Sequence, residues 1–391
     1  MKSETMVPPY LDQLAAILEE RESALWSWCR QELQRPDAGD AARLELRKTT
    51  YPLDQKSHAE IYEVARQVAT ELGIVTVPTL YQAQEETRLN ATLAPLTAAP
   101  HITLYGPVND QLDAGEIQVL LAHELSHWLL WQMKQGVYQV AEEVLRTLCQ
   151  QPQPHDAYIN SFRICRVYTE IFCDRNACSV AEDAGKVVSV LLKTTLDTEK
   201  GQVASALYQE EKWWEKEWVA SANAEQTEVD VRARAVHMWW SQAEAADSQI
   251  TAMIEGCPPL NSLDVLAQQR LQATTRRLID QFMRYPRIRT KPLLTLCREY
   301  FPDYEVNTDE EGETVASIGE EDESVQQYFV YVLLDLATAD PESDALPLAA
   351  ALQLSKQLEI QEKFSAAALQ EMRLRKRQLQ QVHEQIDTLL G

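Results

Sequence analysis

Between Tyr10 and Leu33 the apolar residues Leu11, Leu14, Ile17, Leu18, Leu25, Trp26 and Trp28 keep a three-and-four spacing, the period of one helix face. Pro36, Asp37 and Gly39 close that run. A second stripe, Ile61, Val64, Ala65, Val68 and Leu72, predicts a helix over 58–72 with Ser57 as its N-cap and Gly73 as its stop. The texture then changes. β-Branched residues over 74–81, the segment Asn90–Leu93 and the segment His101–Tyr105 predict three short strands, and Pro78 makes the first an edge strand or breaks it. The helical period returns over 113–131, where Ile117, Leu120, Leu121, Leu125 and Trp128 share a stripe, and again over 158–178, 186–196 and 225–240.

Gly256, Pro258 and Pro259 interrupt the helical pattern and divide the chain into a first domain, 1–255, and a second, 256–391. The second is predicted to be all-α: helices over 263–283 and Lys291–Tyr300, a hairpin of 324–338 and 346–358, and a long charged helix over 363–390. The fold class expected is α+β and predominantly helical, a small sheet confined to the first domain. Only 11 glycines occur in 391 residues, which counts against glycine-dependent Rossmann or β-sandwich folds.

Charge narrows the possible partners. With 60 acidic against 36 basic side chains the formal net charge is -24, a balance that repels phosphate backbones and anionic lipid heads. Neither nucleic acid nor membrane is therefore expected as a partner. No apolar run of 18 residues appears, and the first 18 residues carry Glu4 and Asp12 without a signal-peptide pattern, so the expected location is cytoplasmic. The seven cysteines are odd in number and lack CxxC spacing; they read as reduced, mostly buried thiols.

The chemistry concentrates in His123-Glu124-Leu125-Ser126-His127. On a helix the two histidines of HExxH stand one turn apart on the same face and can grip one zinc ion, while Glu124 falls beside them within reach of a zinc-bound water. Apolar neighbours on both sides (Val119 to Ala122, Trp128 to Trp131) bury these polar groups, so they need a metal or hydrogen bonds to satisfy them. Catalytic zinc takes a third protein ligand. Glu170 is the candidate, on the next strongly apolar helix, with Asp174 one turn later to hold the free ring N–H of a ligand histidine. Like charges at that spacing call for a cation between them. Glu142, Glu143 and His155 remain competitors for the third place.

The run from His123 to His127 followed by Glu170-Ile-Phe-Cys-Asp174-Arg-Asn-Ala resembles the soluble, HtpX-type peptidases of metallopeptidase family M forty-eight, a gluzincin group. Leu89-Asn90-Ala91, Ile102 to Gly106, Asp113 with Glu116 and Ile117, and Arg232 to Ala235 resemble further segments of that family, so the likeness runs from about Leu44 to Trp240. It implies zinc held by His123, His127 and Glu170, water activated by Glu124, substrate paired along the strands of Asn90 and Ile102, and support from Arg232. One departure concerns the family's Ser/Thr-His-Pro element, whose histidine helps stabilise the tetrahedral intermediate. Thr227, Glu228 and Val229 stand there instead, and a carboxylate would repel an oxyanion. Residues 328–379 resemble TerB-like helical modules.

Other clusters read more plainly. Trp213, Trp214, Trp218, Trp239 and Trp240 are read as helix-packing residues. Arg276, Arg277, Arg284, Arg287 and Arg289 are read as salt-bridge partners for the acidic run over 303–323, itself a solvated loop without EF-hand spacing. The expectation is a zinc endopeptidase acting on a peptide or protein substrate, with a helical domain that docks a protein partner or controls the cleft. The alternative is a latent metalloprotein in which that domain acts as an adaptor.

Overall fold

The computed structural model describes residues 6–35, 37, 39–84, 88–96, 99–195, 224–242, 245–306 and 315–386. Trp213, Trp214, Trp218, Pro36 and residues 307–314 of the acidic run lie outside them. The chain forms two compact units, Met1–Gly256 and Cys257–Gly391.

The first unit begins with helices α1 (Pro9–Arg21), α2 (Ser23–Gln34) and α3 (Asp40–Thr49), and strand β1 (Thr50–Pro52). The single helix expected over 10–33 is thus two helices, bent at Glu22 (φ -113, ψ 36). Its apolar stripe is interrupted by Glu19, Glu20, Arg21, Glu22 and Ser23, so a straight helix could not keep both halves in contact with the same core. Helix α4 (Ala59–Glu71) ends at Gly73, whose φ of +72 suits glycine. Its N-cap is His58 without a side-chain bond; Ser57 instead donates through its backbone N–H and hydroxyl to Asp54.

Strands β2 (Thr79–Ala83), β3 (Asn90–Leu93) and β4 (His101–Tyr105) join β1 in a mixed sheet of order β1-β2-β4-β3. β2 runs parallel to β4, and the other two pairings are antiparallel. The strand expected over 74–81 begins only after Pro78 and lies inside the sheet, because a proline just ahead of the ladder removes no bond from it. In this order β3 is an edge strand and β4 an interior one.

A short helix α5 (Val108–Gln111) leads to α6 (Ala114–Gln132), followed by α7 (Val137–Cys149), α8 (Asp156–Ala181), α9 (Ala184–Thr195), α10 (Ala224–Trp240) and α11 (Ala246–Glu255). α6 starts with a complete capping box in which Asp113 accepts from the Glu116 backbone and Glu116 from the Asp113 backbone. Its apolar residues, including Val119, Leu120, Leu121, Ala122 and Leu125, join α4 and the sheet in one core. α7 was not among the predicted helices, although Tyr138, Val140, Ala141, Val144, Leu145 and Leu148 bury one face of it. Its start is hidden in sequence by a turn of left-handed residues, Lys134, Gln135 and Gly136.

The second unit is all-α within the described residues: α12 (Val265–Phe282), α13 (Lys291–Tyr300), α14 (Glu323–Thr338), α15 (Leu346–Gln357), α16 (Gln361–Glu371) and α17 (Lys376–Glu384). Phe282, Phe329, Leu333, Leu352 and Phe364 lie in its core. The long terminal helix expected over 363–390 is broken near Arg373, a left-handed residue. The break lets Phe364, Ala368 and Leu379 all pack on the same core. Arg276 pairs with Asp303, as the acidic run suggests, whereas Arg287 pairs with Asp344 outside it. The architecture is the predominantly helical α+β class predicted, with a four-stranded mixed sheet. Among the described residues no helix is long and apolar enough to cross a membrane.

Candidate metal centre

Helices α6 and α8 run antiparallel, so His123 meets Asp174 near one end of the site while His127 faces Glu170 one turn away. The His123 and His127 Nε2 atoms are 3.3 Å apart, with ring centroids 5.0 Å apart and planes crossed at 77°. Glu170 Oε2 lies 3.3 Å from His123 Nε2, and Oε1 lies 3.6 Å from His127 Nε2. Two nitrogens bound at ~2.05 Å to a tetrahedral zinc stand about 3.3 Å apart, so these donors already have the separations of a zinc ligand set. His123, His127 and Glu170 form a group that could hold a metal ion, all three donor atoms lying within 4.8 Å of one another.

The supporting shell comes from α8 and α10. Asp174 Oδ1 lies 2.9 Å from His123 Nδ1, which fixes the tautomer that leaves Nε2 facing the site when the ring is neutral. The cation demanded by the Glu170 and Asp174 pair is a guanidinium: Arg232 Nη1 is 3.0 Å from Glu170 Oε2, and its Nε and Nη2 donate to Asp174 at 2.8 and 2.9 Å. Two carboxylates at helical spacing, Asp174 buried and Glu170 partly so, would otherwise repel.

Burial and neighbours set the charges. Burial lowers the His123 affinity for protons, but hydrogen bonds to Asp174 and Glu170 outweigh it and carry the pKa up to about 10. Burial takes His127 the other way, to about 4. Desolvation would raise Glu170 and Asp174, yet Arg232 and His123 hold both below the usual carboxylate range. At Glu124 desolvation, helped by the Glu170 charge, outweighs the pull of His123 and Arg232 and pushes the pKa up to about 7, where a carboxylate can both take and return a proton.

Asn90, Thr92 and Leu93 of β3 line the cleft above these residues, a space of about 700 Å³. Because Ala94 N–H bonds to the His101 carbonyl, the antiparallel alternation turns the backbone groups of Ala91 and Leu93 outward along the edge. Ala91 N–H is met there by Asn90 Oδ1 at 2.9 Å. Ile102 does not fit the substrate-strand expectation. It is fully buried on β4, which is bonded to β2 on one side and β3 on the other, so it has no free edge.

The competing ligands are engaged elsewhere. Glu142 and Glu143 bind Arg146 at 2.6 and 2.8 Å, and the His155 ring accepts from Ala157 N–H as the α8 N-cap. Glu228 lines the cleft, one turn before Arg232 on α10, and its charge reinforces that arginine. Thr227 lies on the same helix, outside the described side chains. A further residue that the pattern reading passed over, Arg166, stands one turn before Glu170 and also lines the cleft. Its place at i-4 was visible in the sequence; its openness to the cleft was not.

No family model and no solved structure matches the chain. Among curated proteins it is similar to plastoglobule-localized metallopeptidase 48, chloroplastic, of Arabidopsis thaliana. The two are 33% identical over 137 residues, a stretch covering 32% of this chain and 37% of that protein. The similarity supports a relationship to metallopeptidases, and with it a metal cofactor.

Proposed function

We propose that the chain is a zinc-dependent endopeptidase of the HtpX-like, gluzincin kind, with His123, His127 and Glu170 as ligands and Glu124 as the general base. The observation that carries this reading is the convergence of two imidazole Nε2 atoms and one carboxylate at zinc-ligand separations, backed by Asp174 and Arg232. Bound zinc would supply Lewis-acid polarisation of the scissile carbonyl and a water of lowered pKa. The protein's own groups do the rest. The outward backbone groups of Ala91 and Leu93 on edge strand β3 would pair with an extended substrate, displacing Asn90 Oδ1 from the Ala91 N–H. Glu124 would take a proton from the attacking water and return it to the leaving amine. Asp174 and Arg232 would keep His123 and Glu170 in place.

Replacing Glu124 by Gln should leave metal stoichiometry unchanged and lower peptide turnover about 10²–10⁴-fold. Metal analysis with a peptide-library digest of both proteins checks this, and equal cleavage by the two would sink the mechanism. A second reading, a latent metalloprotein whose helical unit serves as an adaptor, is favoured by Glu228, which places a carboxylate on the cleft wall. That reading expects zinc in both proteins and no cleavage by either. Under both readings the second unit, Cys257–Gly391, is the proposed docking module for a protein partner.

A further inference from the structure

Among the described residues, the basic side chains on the cleft wall are Arg88, Arg146, Arg166 and Arg232. Three are committed. Arg232 binds Glu170 and Asp174, Arg146 binds Glu142 and Glu143, and Arg88 donates to the Thr195 carbonyl. Arg166 is exposed and has no hydrogen-bond or ion-pair partner among the described residues. In a chain with 60 acidic and 36 basic residues, a cation left open on the cleft wall is notable, because carboxylates to pair with it abound.

Its place is set by the helix. Arg166, Glu170 and Asp174 succeed one another at four-residue spacing on α8, so all three lie along one face, each about 6 Å further along the axis. Asp174 and Glu170 are taken up by the metal centre, and Arg166 is the next position outward, on the side where Trp131 ends the motif helix. A guanidinium one turn from the ligands is within reach of a group one or two residues from a scissile bond held at the centre, since an extended chain advances ~3.3 Å per residue. Glu142, on the same cleft wall, is drawn to Arg146 and does not close the fork of Arg166.

We propose that Arg166 is a specificity-determining residue that binds a carboxylate of the substrate on the Trp131 side of the cleft. This rests on the peptidase reading above and adds a substrate class to it: peptides carrying an acidic side chain, or ending in a free carboxylate, close to the cleaved bond. The guanidinium fork matches a carboxylate with two parallel N–H donors. It remains partly solvated, so the selectivity is modest and salt-sensitive.

The test uses the full-length, zinc-loaded chain in the Glu124→Gln background, with binding of labelled peptides read by fluorescence anisotropy, so that it does not depend on turnover. Three peptides of one sequence are compared: one with an internal Glu, one with Gln at that position and an amidated end, and one with Gln and a free C-terminal carboxylate. The expected result is about fivefold to tenfold tighter binding of one carboxylate-bearing peptide over the amidated Gln peptide. Arg166→Ala should abolish that difference, Arg166→Lys should keep only the part owed to charge, and added salt should shrink it. The peptide that gains identifies the source of the carboxylate. Equal binding of all three peptides, or a preference that survives Arg166→Ala, overturns the proposal. A library digest with the parent chain separates the two failures: cleavage that needs Glu124 but ignores acidic residues refutes the role of Arg166 alone, whereas acid-selective binding without any cleavage refutes only the peptidase reading.

Discussion

Asp174 touches the proposed ligand His123 and the guanidinium of Arg232 at once, and it is nearly inaccessible, with a side chain 3% exposed. Converting it to Asn keeps the shape but removes the charge that orients both. Zinc affinity of Asp174→Asn should fall by about 10–100-fold, measured by competition with a chromophoric chelator. An unchanged affinity would show that His123 is oriented by something else. At this scale the sequence was most informative for short-range groupings. HExxH places its three polar side chains through helix geometry alone, and the Glu170 to Asp174 spacing made the need for a cation readable. Helix spacing could not name that cation, because Arg232 lies 58 residues further on; only the family resemblance pointed to it. The misplacement of Ile102 has the same origin: a strand's propensity is local, and whether it ends as edge or interior depends on its neighbours.

Helix α6 carries the motif, and its N-terminus is fixed twice. Asp113 caps it, and Glu116, whose side chain is 9% exposed, also binds Lys193 Nζ and the Ser189 hydroxyl on α9. Asp113→Ala should cost about 1 kcal/mol in urea unfolding. Glu116→Gln should cost on the order of 2 kcal/mol, because it weakens charge-assisted bonds and leaves Lys193 short of its counter-charge. If Asp113→Ala proves the costlier of the two, the contact to α9 matters less than the cap. Beyond the other end of α6, Asp12 of α1 accepts from Lys134 and from the Tyr138 hydroxyl. Burial would raise the Asp12 pKa, but these bonds hold it below its ordinary value of 3.8. A carboxylate depressed in the folded state stabilises above about pH 4 and loses that contribution as pH falls through the folded value. Asp12→Asn should therefore cost about 0.5–1 kcal/mol at pH 7, the small figure reflecting its partial exposure, and progressively less as the pH falls below about 4. A cost independent of pH would assign the effect to packing.

For the molecule as a whole, the proposed metal would tie α6 to α8 inside Met1–Gly256, while Cys257–Gly391 has a core of its own. A metal that binds only the folded state adds stability by mass action. Chelation should thus lower the melting transition of Met1–Gly256 by several degrees, with re-addition of zinc restoring it, as read by calorimetry. A transition indifferent to chelator and zinc would remove the structural role assigned to the metal.

By itself the sequence determined the helical majority, the strands Asn90–Leu93 and His101–Tyr105, and the face shared by His123, Glu124 and His127. Each follows from periodicity, and periodicity is a property of neighbours along the chain. Tertiary structure decided the rest. It split the expected first and last helices at Glu22 and near Arg373, so that both halves of each could reach one core. It also set β3 at the sheet edge, brought Arg232 between two carboxylates, and left Arg166 open on the cleft wall. These depend on which distant surfaces meet, a matter of packing and charge balance in three dimensions that no local pattern encodes.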